Sequence, residues 1–208
     1  MNKSSKLYRS VYKFFEWSWV FNLNQIILDP GKKRQIVRFL RDVPYRSMID
    51  IGCGTGNWTE LARGRYLGID TSPSFIEACK RRFACDSTKQ FVLVDVTKLE
   101  LAENYDLAIL ISVLHHLSDD EVLQLVHWVR VNARYLFILD LHPIRWNPIS
   151  RWLYAMDRGN HIREPAAQRN LVLRQPGIRL VKEGDYRCPN GLYRHTLFLF
   201  ESTAVAGH

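Results

Sequence analysis

Five short β-type runs, MIDI (48–51), RYLGID (65–70), QFVLVD (90–95), YDLAILIS (105–112) and RYLFILD (134–140), alternate with stretches whose apolar residues recur at helical spacing. Strands that follow one another through helices must run parallel, and a parallel sheet has to be covered on both faces. The expected fold is therefore α/β, a doubly wound, Rossmann-like and mostly parallel sheet. Near the C-terminus, IRLVKEGDYRC and LYRHTLFLFES flank Pro189-Asn190-Gly191, a turn signal that predicts an antiparallel strand pair closing the sheet. Ser118 and Glu121 form a capping box ahead of the apolar stripe Val122, Leu125, Val126 and Val129. Ser72-Pro73 opens another helix, with Phe75, Ile76 and Cys79 on its inward side.

Asp50, Asp70, Asp95 and Asp140 stand at or near strand ends. Ligands of open α/β sheets sit beyond the carboxyl ends of the strands, so these carboxylates should gather along one functional edge. The 208 residues, 47% hydrophobic and 24% charged, suit one soluble core. No apolar stretch is long enough to span a bilayer and the N-terminus lacks signal-peptide order, which predicts a cytoplasmic protein. Cys53, Cys79, Cys85 and Cys188 show neither a C-x-x-C pair nor zinc spacing with the histidines, so reduced thiols and no metal site are expected. A net charge of +8 suits nucleic acid, anionic lipid or an acidic small molecule, and does not choose among them.

Gly52, Gly54 and Gly56 follow the first strand directly. Without Cβ atoms the chain can turn sharply and lie against a ligand, with amides at the start of a helix near Asn57 offering hydrogen bonds. The G-x-G-x-G spacing departs from the dinucleotide fingerprint and lacks the Lys and Ser/Thr of a P-loop. DIGCGTG at Asp50 to Gly56 resembles the glycine motif of the class I S-adenosylmethionine-dependent methyltransferases, and the resemblance extends from about Arg46 to Asp140. It implies S-adenosylmethionine as cofactor, S-adenosylhomocysteine as its product, and a cofactor site made of Asp50, Gly52, Gly54, Gly56, Asn57, Asp70, Thr71, Asp95, Val96 and Ser112. In that scheme Asp50 supports the amino-group side, Asp70 accepts the ribose hydroxyls, Asp95 and Val96 meet the adenine, and the chain at Ser112 borders the acceptor.

A single domain is expected: residues 1–30 as an N-terminal helical cap or lid, 31–140 as the cofactor-binding core, 141–164 as a substrate-cap insertion, and 165–208 as a C-terminal helix and strand pair. His115, His116 and His142 lie near strand ends, where a neutral imidazole can serve as general base. Tyr8, Tyr12 and Trp19 in the aromatic N-terminal segment, with Trp146 and Trp152 after the fifth strand, are candidate walls of the acceptor pocket. NPISRWLYAMDRG predicts a helix capped by Asn147 with Ile149 and Trp152 on its apolar face. The [DN]-P-P-[YF] signature of base amino-methylation is absent after the fourth strand, where ISVLHH stands. These features favour a small hydrophobic, aromatic or lipid-like acceptor, over an RNA methyltransferase or a non-catalytic cofactor-binding module. The basic N-terminal segment also suits peripheral contact with an anionic inner membrane surface. The sequence leaves the oligomeric state open.

Overall fold

The computed structural model describes residues 31–101, 103–142, 144, 146–151 and 161–204. These form one seven-stranded sheet in the order β3-β2-β1-β4-β5-β7-β6. The strands are β1 (Ser47–Ile51), β2 (Arg65–Asp70), β3 (Lys89–Leu93), β4 (Tyr105–Ile111), β5 (Ala133–Leu141), β6 (Ile178–Arg187) and β7 (Arg194–Ser202). β1 to β5 pair in parallel, and β7 runs antiparallel between β5 and the edge strand β6. The chain moves outward from β1 through β2 to β3, then crosses back to β4, so the order reverses between β1 and β4. That reversal opens a crevice at the carboxyl end of the sheet.

Alternation along the strands divides the interior into two cores. Ile49, Ile51, Leu67, Ile69 and Leu110 pack with α3 (Asp119–Asn132) and α4 (Pro165–Leu173). Met48, Tyr66, Leu107 and Ile109 pack with α1 (Lys32–Phe39) and α2 (Pro73–Arg82) on the other face. The sheet is thus wound on both sides, as the alternation of strands and helices requires. The expected caps are present: the Ser118 hydroxyl accepts from the Glu121 amide while Glu121 accepts from the Ser118 amide, and Pro73 occupies the first turn of α2. Ile76 and Cys79 are buried and Phe75 is half-buried.

The expected C-terminal strand pair forms, but its second strand, β7, inserts beside β5 while β6 takes the edge. Phe198 and Phe200 enter one core and Leu197 and Leu199 the other, so β7 is apolar on both sides and needs an interior place. β6, with Arg179, Lys182, Glu183 and Arg187, carries the charges of an edge strand. Gly191, at φ 71, makes the turn between them.

One polar staple fixes the amino ends of β1 and β4, at the opposite edge of the sheet from the crevice. Asp106, at the foot of β4, accepts the backbone amides of Arg46 and Ser47 (both 2.8 Å) and the Ser47 hydroxyl (2.9 Å). Partial burial pushes its pKa up, but the Arg46 and Ser47 hydrogen bonds outweigh that and hold it below the usual carboxylate value. Asp106→Ala leaves two amides without this acceptor and is expected to cost about 1–2 kcal/mol in urea unfolding. Because the folded pKa is lowered, the contribution is present above about pH 4 and disappears as pH falls through the folded value. Parent and variant stabilities should therefore converge on acidification.

Candidate functional site

Beyond β1 the chain turns through Gly52, Gly54 and Gly56, whose φ angles of 75°, 53° and 75° lie in the left-handed region. The space is as restrictive as the backbone: a Cβ on Gly52 would stand 2.7 Å from Val113 Cγ2, and one on Gly56 2.9 Å from Phe83 Cε2. The amides of these glycines point inward. Gly52 and Cys53 donate to the Ile69 carbonyl (2.8 and 2.9 Å), Gly54 to Asp70 Oδ2 (2.8 Å), and Gly56 to the Cys53 carbonyl (3.0 Å). The loop thus braces itself through its own glycine amides. What they leave for a ligand is a Cβ-free surface.

The helix expected from Asn57 is replaced by a turn and one 3-10 turn at Thr59–Leu61. Arg63 accounts for the early stop, since its guanidinium binds the carbonyls of Val43, Leu40 and Arg41 at the end of α1 and draws the chain back. Asn57 is half-buried and accepts from the Thr55 hydroxyl at 3.4 Å.

Asp70 ends β2 with one oxygen on the Gly54 amide and the other on the Ser72 amide, both at 2.8 Å. Each carboxylate oxygen can accept more than one hydrogen bond, so this bracing leaves acceptor capacity. Thr71 beside it is exposed. Asp95 is exposed and Val96 buried in the 3-10 turn after β3, where the Lys98 amide donates to the Asp95 carbonyl. Ser112 leaves β4 at φ 60 with its amide on the Leu139 carbonyl (2.8 Å). A non-glycine residue in this conformation stores on the order of 1–3 kcal/mol of strain, a cost often met at functional sites.

Asp50 is 1% exposed. Its Oδ2 accepts the Tyr66 hydroxyl at 2.8 Å, while Oδ1 has no partner among the described residues. Burial raises its pKa to about 7, with the Tyr66 hydrogen bond opposing and the charge of Asp70 adding.

The three histidines separate. His115 is buried, with Nδ1 against Asp140 Oδ1 and its backbone amide on Asp140 Oδ2 (2.9 Å). His116 is exposed, its ring centroid 4.1 Å from that of His115, and His142 is half-buried with its amide on the Arg194 carbonyl. Arg163 clasps the same turn by donating to the Leu114 and Leu117 carbonyls and to Asp119.

Of the proposed acceptor walls, Tyr8, Tyr12, Trp19 and Trp152 lie outside the described residues, as does the N-terminal cap. Trp146 is 68% exposed. Asn147 caps the next turn as expected, accepting from the amides of Ile149 (2.9 Å) and Ser150 (3.2 Å). That cap sets the phase so that Ser150 is buried and Ile149 exposed, reversing the expected apolar face at this end.

Sequence reasoning missed Tyr66, the pairing of Asp140 with His115, and Arg163. A tyrosine inside an apolar strand signals a buried partner for its hydroxyl, but which one depends on strand order. Among the described residues, no cluster of three or more His, Cys, Asp or Glu is arranged to hold a metal ion.

Residues 49–133 match a family model described as a methyltransferase domain. The matched stretch is less than half of the chain and contains the glycine turn, Asp70, Asp95 and Ser112. It is 37% identical over 67 residues to a malonyl-[acyl-carrier protein] O-methyltransferase of Acetivibrio thermocellus, covering 30% of this chain and 23% of that protein. It is 38% identical over 80 residues to a trans-aconitate 2-methyltransferase of Methylobacterium nodulans, covering 34% and 30%. A tRNA U34 carboxymethyltransferase of Shewanella halifaxensis is 29% identical over 111 residues, covering 49% and 34%. The matched stretches thus span about a third or less of each curated relative. In fold, the chain is similar to an N-methyltransferase from Bradyrhizobium japonicum WM9 solved with S-adenosylhomocysteine (TM-score 0.67, 15% identity, 86% of this chain and 91% of that one). It is equally similar to the magnesium protoporphyrin IX methyltransferase of Synechocystis PCC 6803 with bound S-adenosylmethionine (TM-score 0.67, 17% identity, 98% and 100%).

The pKa of Asp50 is raised above its unfolded value of about 3.9, so its contribution to stability is full below that value and is lost as pH rises through about 7. Urea unfolding of the ligand-free protein should show a loss on the order of a few kcal/mol between about pH 4 and pH 8. Asp50→Asn, which keeps an acceptor for Tyr66, should remove most of that slope.

Proposed function

We propose that the chain is an S-adenosylmethionine-dependent methyltransferase whose acceptor is a small molecule placed beyond the ends of β4 and β5. The single observation that carries the cofactor reading is the Asp70 carboxylate at the end of β2, bound to the Gly54 amide at 2.8 Å. It holds a glycine surface and an anionic acceptor of hydroxyl donors side by side. Two further features fit the group. Asp50 Oδ1 is a buried oxygen without a partner among the described residues, suited to a cationic amino group, and Cβ atoms at Gly52 or Gly56 would collide with their neighbours.

When bound, the cofactor supplies an activated methyl on a positively charged sulfur. The chain's part is positioning and exclusion of water. Asp70 and the glycine turn fix one partner, and Ser112, held in its left-handed conformation, directs the chain from β4 across the reacting side. His115 is sealed against Asp140 and acts as a brace that orients the turn carrying His116. Of the three histidines, exposed His116 is best placed to accept a proton from an acceptor, with His142 at the neighbouring strand end as the alternative. An acceptor that reacts as a carboxylate is already deprotonated at neutral pH and needs neither. The N-terminal segment with Tyr8, Tyr12 and Trp19, and Trp152 after β5, would complete the walls.

The names of the malonyl-carrier and trans-aconitate methyltransferases support a small acidic or acyl acceptor. A second reading, methylation of RNA, is favoured by the tRNA-modifying relative and the net charge of +8. Incubation with methyl-labelled S-adenosylmethionine and a fractionated cell extract separates the readings: label in the metabolite fraction is expected, label in tRNA selects the second, and cofactor binding without label in any fraction indicates a non-catalytic module. Asp70→Ala should weaken cofactor binding by about tenfold or more in calorimetry while the protein still unfolds cooperatively, given the usual value of hydrogen bonds to a charged group. Unchanged affinity would remove Asp70 from the site.

A further inference from the structure

A cavity of about 340 Å³ lies between the β6–β7 hairpin and the segment after β5, lined by Ile144, Trp146, Asp185, Arg187 and Arg194. Its charges are arranged at a cost. Arg187 and Arg194 are direct cross-strand partners and so project from the same face of the sheet. Like charges in that relation destabilise a strand pair. Asp185, two residues before Arg187 on that face, binds Arg194 Nε through both oxygens at 2.9 and 3.2 Å. Arg187 stands with its guanidinium 5.1 Å from the centre of the Trp146 ring, and no carboxylate pairs with it among the described residues. Among the described residues, the two guanidinium groups of this cavity stand with one carboxylate, that of Asp185.

The position ties this cavity to the reaction edge. β7 begins at Arg194 beside the end of β5, where the His142 amide binds the Arg194 carbonyl. Thr196 lies in register between Asp140 and Asp185, buried, with its hydroxyl unpartnered among the described residues. From the exit of β4, at Ser112, to β7 is two strand spacings, about 10 Å.

We propose that this cavity is the acceptor's anion subsite. It takes a carboxylate or phosphate on a flat, apolar body, with the oxyanion between Arg187 and Arg194 and the body against Trp146 and Ile144. The planar guanidinium fork suits such oxyanions, and a bound anion relieves the repulsion between the two arginines. The strand spacing adds a length requirement: the β6–β7 arginine pair stands two to three strand spacings, about 10–14 Å, from β4, so an acceptor that reaches both is an extended anion. This deepens the methyltransferase reading and rests on it for the word acceptor, whereas the anion site itself stands on the hairpin geometry.

The test uses trans-cinnamate, phenyl phosphate and the neutral cinnamamide as probes, titrated calorimetrically into the full chain with and without S-adenosylhomocysteine. One of the two anions should bind at millimolar concentration at least about tenfold more tightly than the amide, and the tighter one identifies the preferred oxyanion. Arg187→Ala should bring that anion down to the affinity of the amide, leaving the affinities for the amide and for S-adenosylhomocysteine unchanged. Arg187→Lys, which keeps the charge and loses the fork, should restore part of the preference. A structural role for Arg187 would weaken amide and anion together. Equal binding of anions and amide, no binding of any probe, or an unchanged preference in Arg187→Ala would overturn the proposal. If S-adenosylhomocysteine fails to bind while the anion preference persists, the methyltransferase reading falls and the anion subsite stands.

Discussion

The carboxylate of Asp70 holds the crevice together. One oxygen receives the Gly54 amide from the loop after β1 and the other the Ser72 amide at the entry to α2, each at 2.8 Å. β2 therefore reaches across and sets the path of the loop that leaves β1. Left-handed glycines are adaptable in isolation. Here they have one conformation because Asp70, the Ile69 carbonyl and the Cys79 thiol, which donates to the Gly54 carbonyl at 3.3 Å, engage them from the neighbouring strand and helix. A ligand meeting this loop finds a surface already formed, and little ordering cost remains for binding to cover.

Two buried polar pairs extend that order along the sheet edge. On one face Tyr66 supports Asp50, and on the other Asp140 locks His115 through both its ring and its backbone amide. Neither pair reaches solvent, so each transmits strand position to the turn above it. The pair at Asp140 has all the more effect because Ser112 is strained and His116 is carried on the same turn. Further along, the β6–β7 hairpin brings opposed arginines to the same edge, so that the sheet presents carboxylates near β1 and β2 and an arginine pair near β7. This polarity suits the proposed cofactor at one end and the proposed anionic acceptor at the other.

Much of the frame was legible in the chain itself. The alternation of apolar runs named the five parallel strands, the capping box at Ser118 and Pro73 marked two helix starts, and Pro189-Asn190-Gly191 marked the hairpin. These signals are local, since each depends on residues within one turn or one strand. The helix expected at Asn57 failed for the opposite reason: Arg63 stops it by binding carbonyls at the end of α1, more than twenty residues earlier in sequence. The face of the turn after Asn147 was misread because the cap, not the apolar spacing, sets its phase.

By itself the sequence determined the α/β class, the glycine turn after β1 and the acidic ends of the strands, because hydrophobic period, missing Cβ atoms and strand-end carboxylates are written in neighbouring residues. Only the tertiary structure decided that Asp70 braces Gly54, that Tyr66 lies under Asp50, that His115 is sealed by Asp140, and that Arg187 faces Arg194. Each of those relations depends on which strands become neighbours and in what register, and pairing across the sheet is settled by the packing of the whole domain.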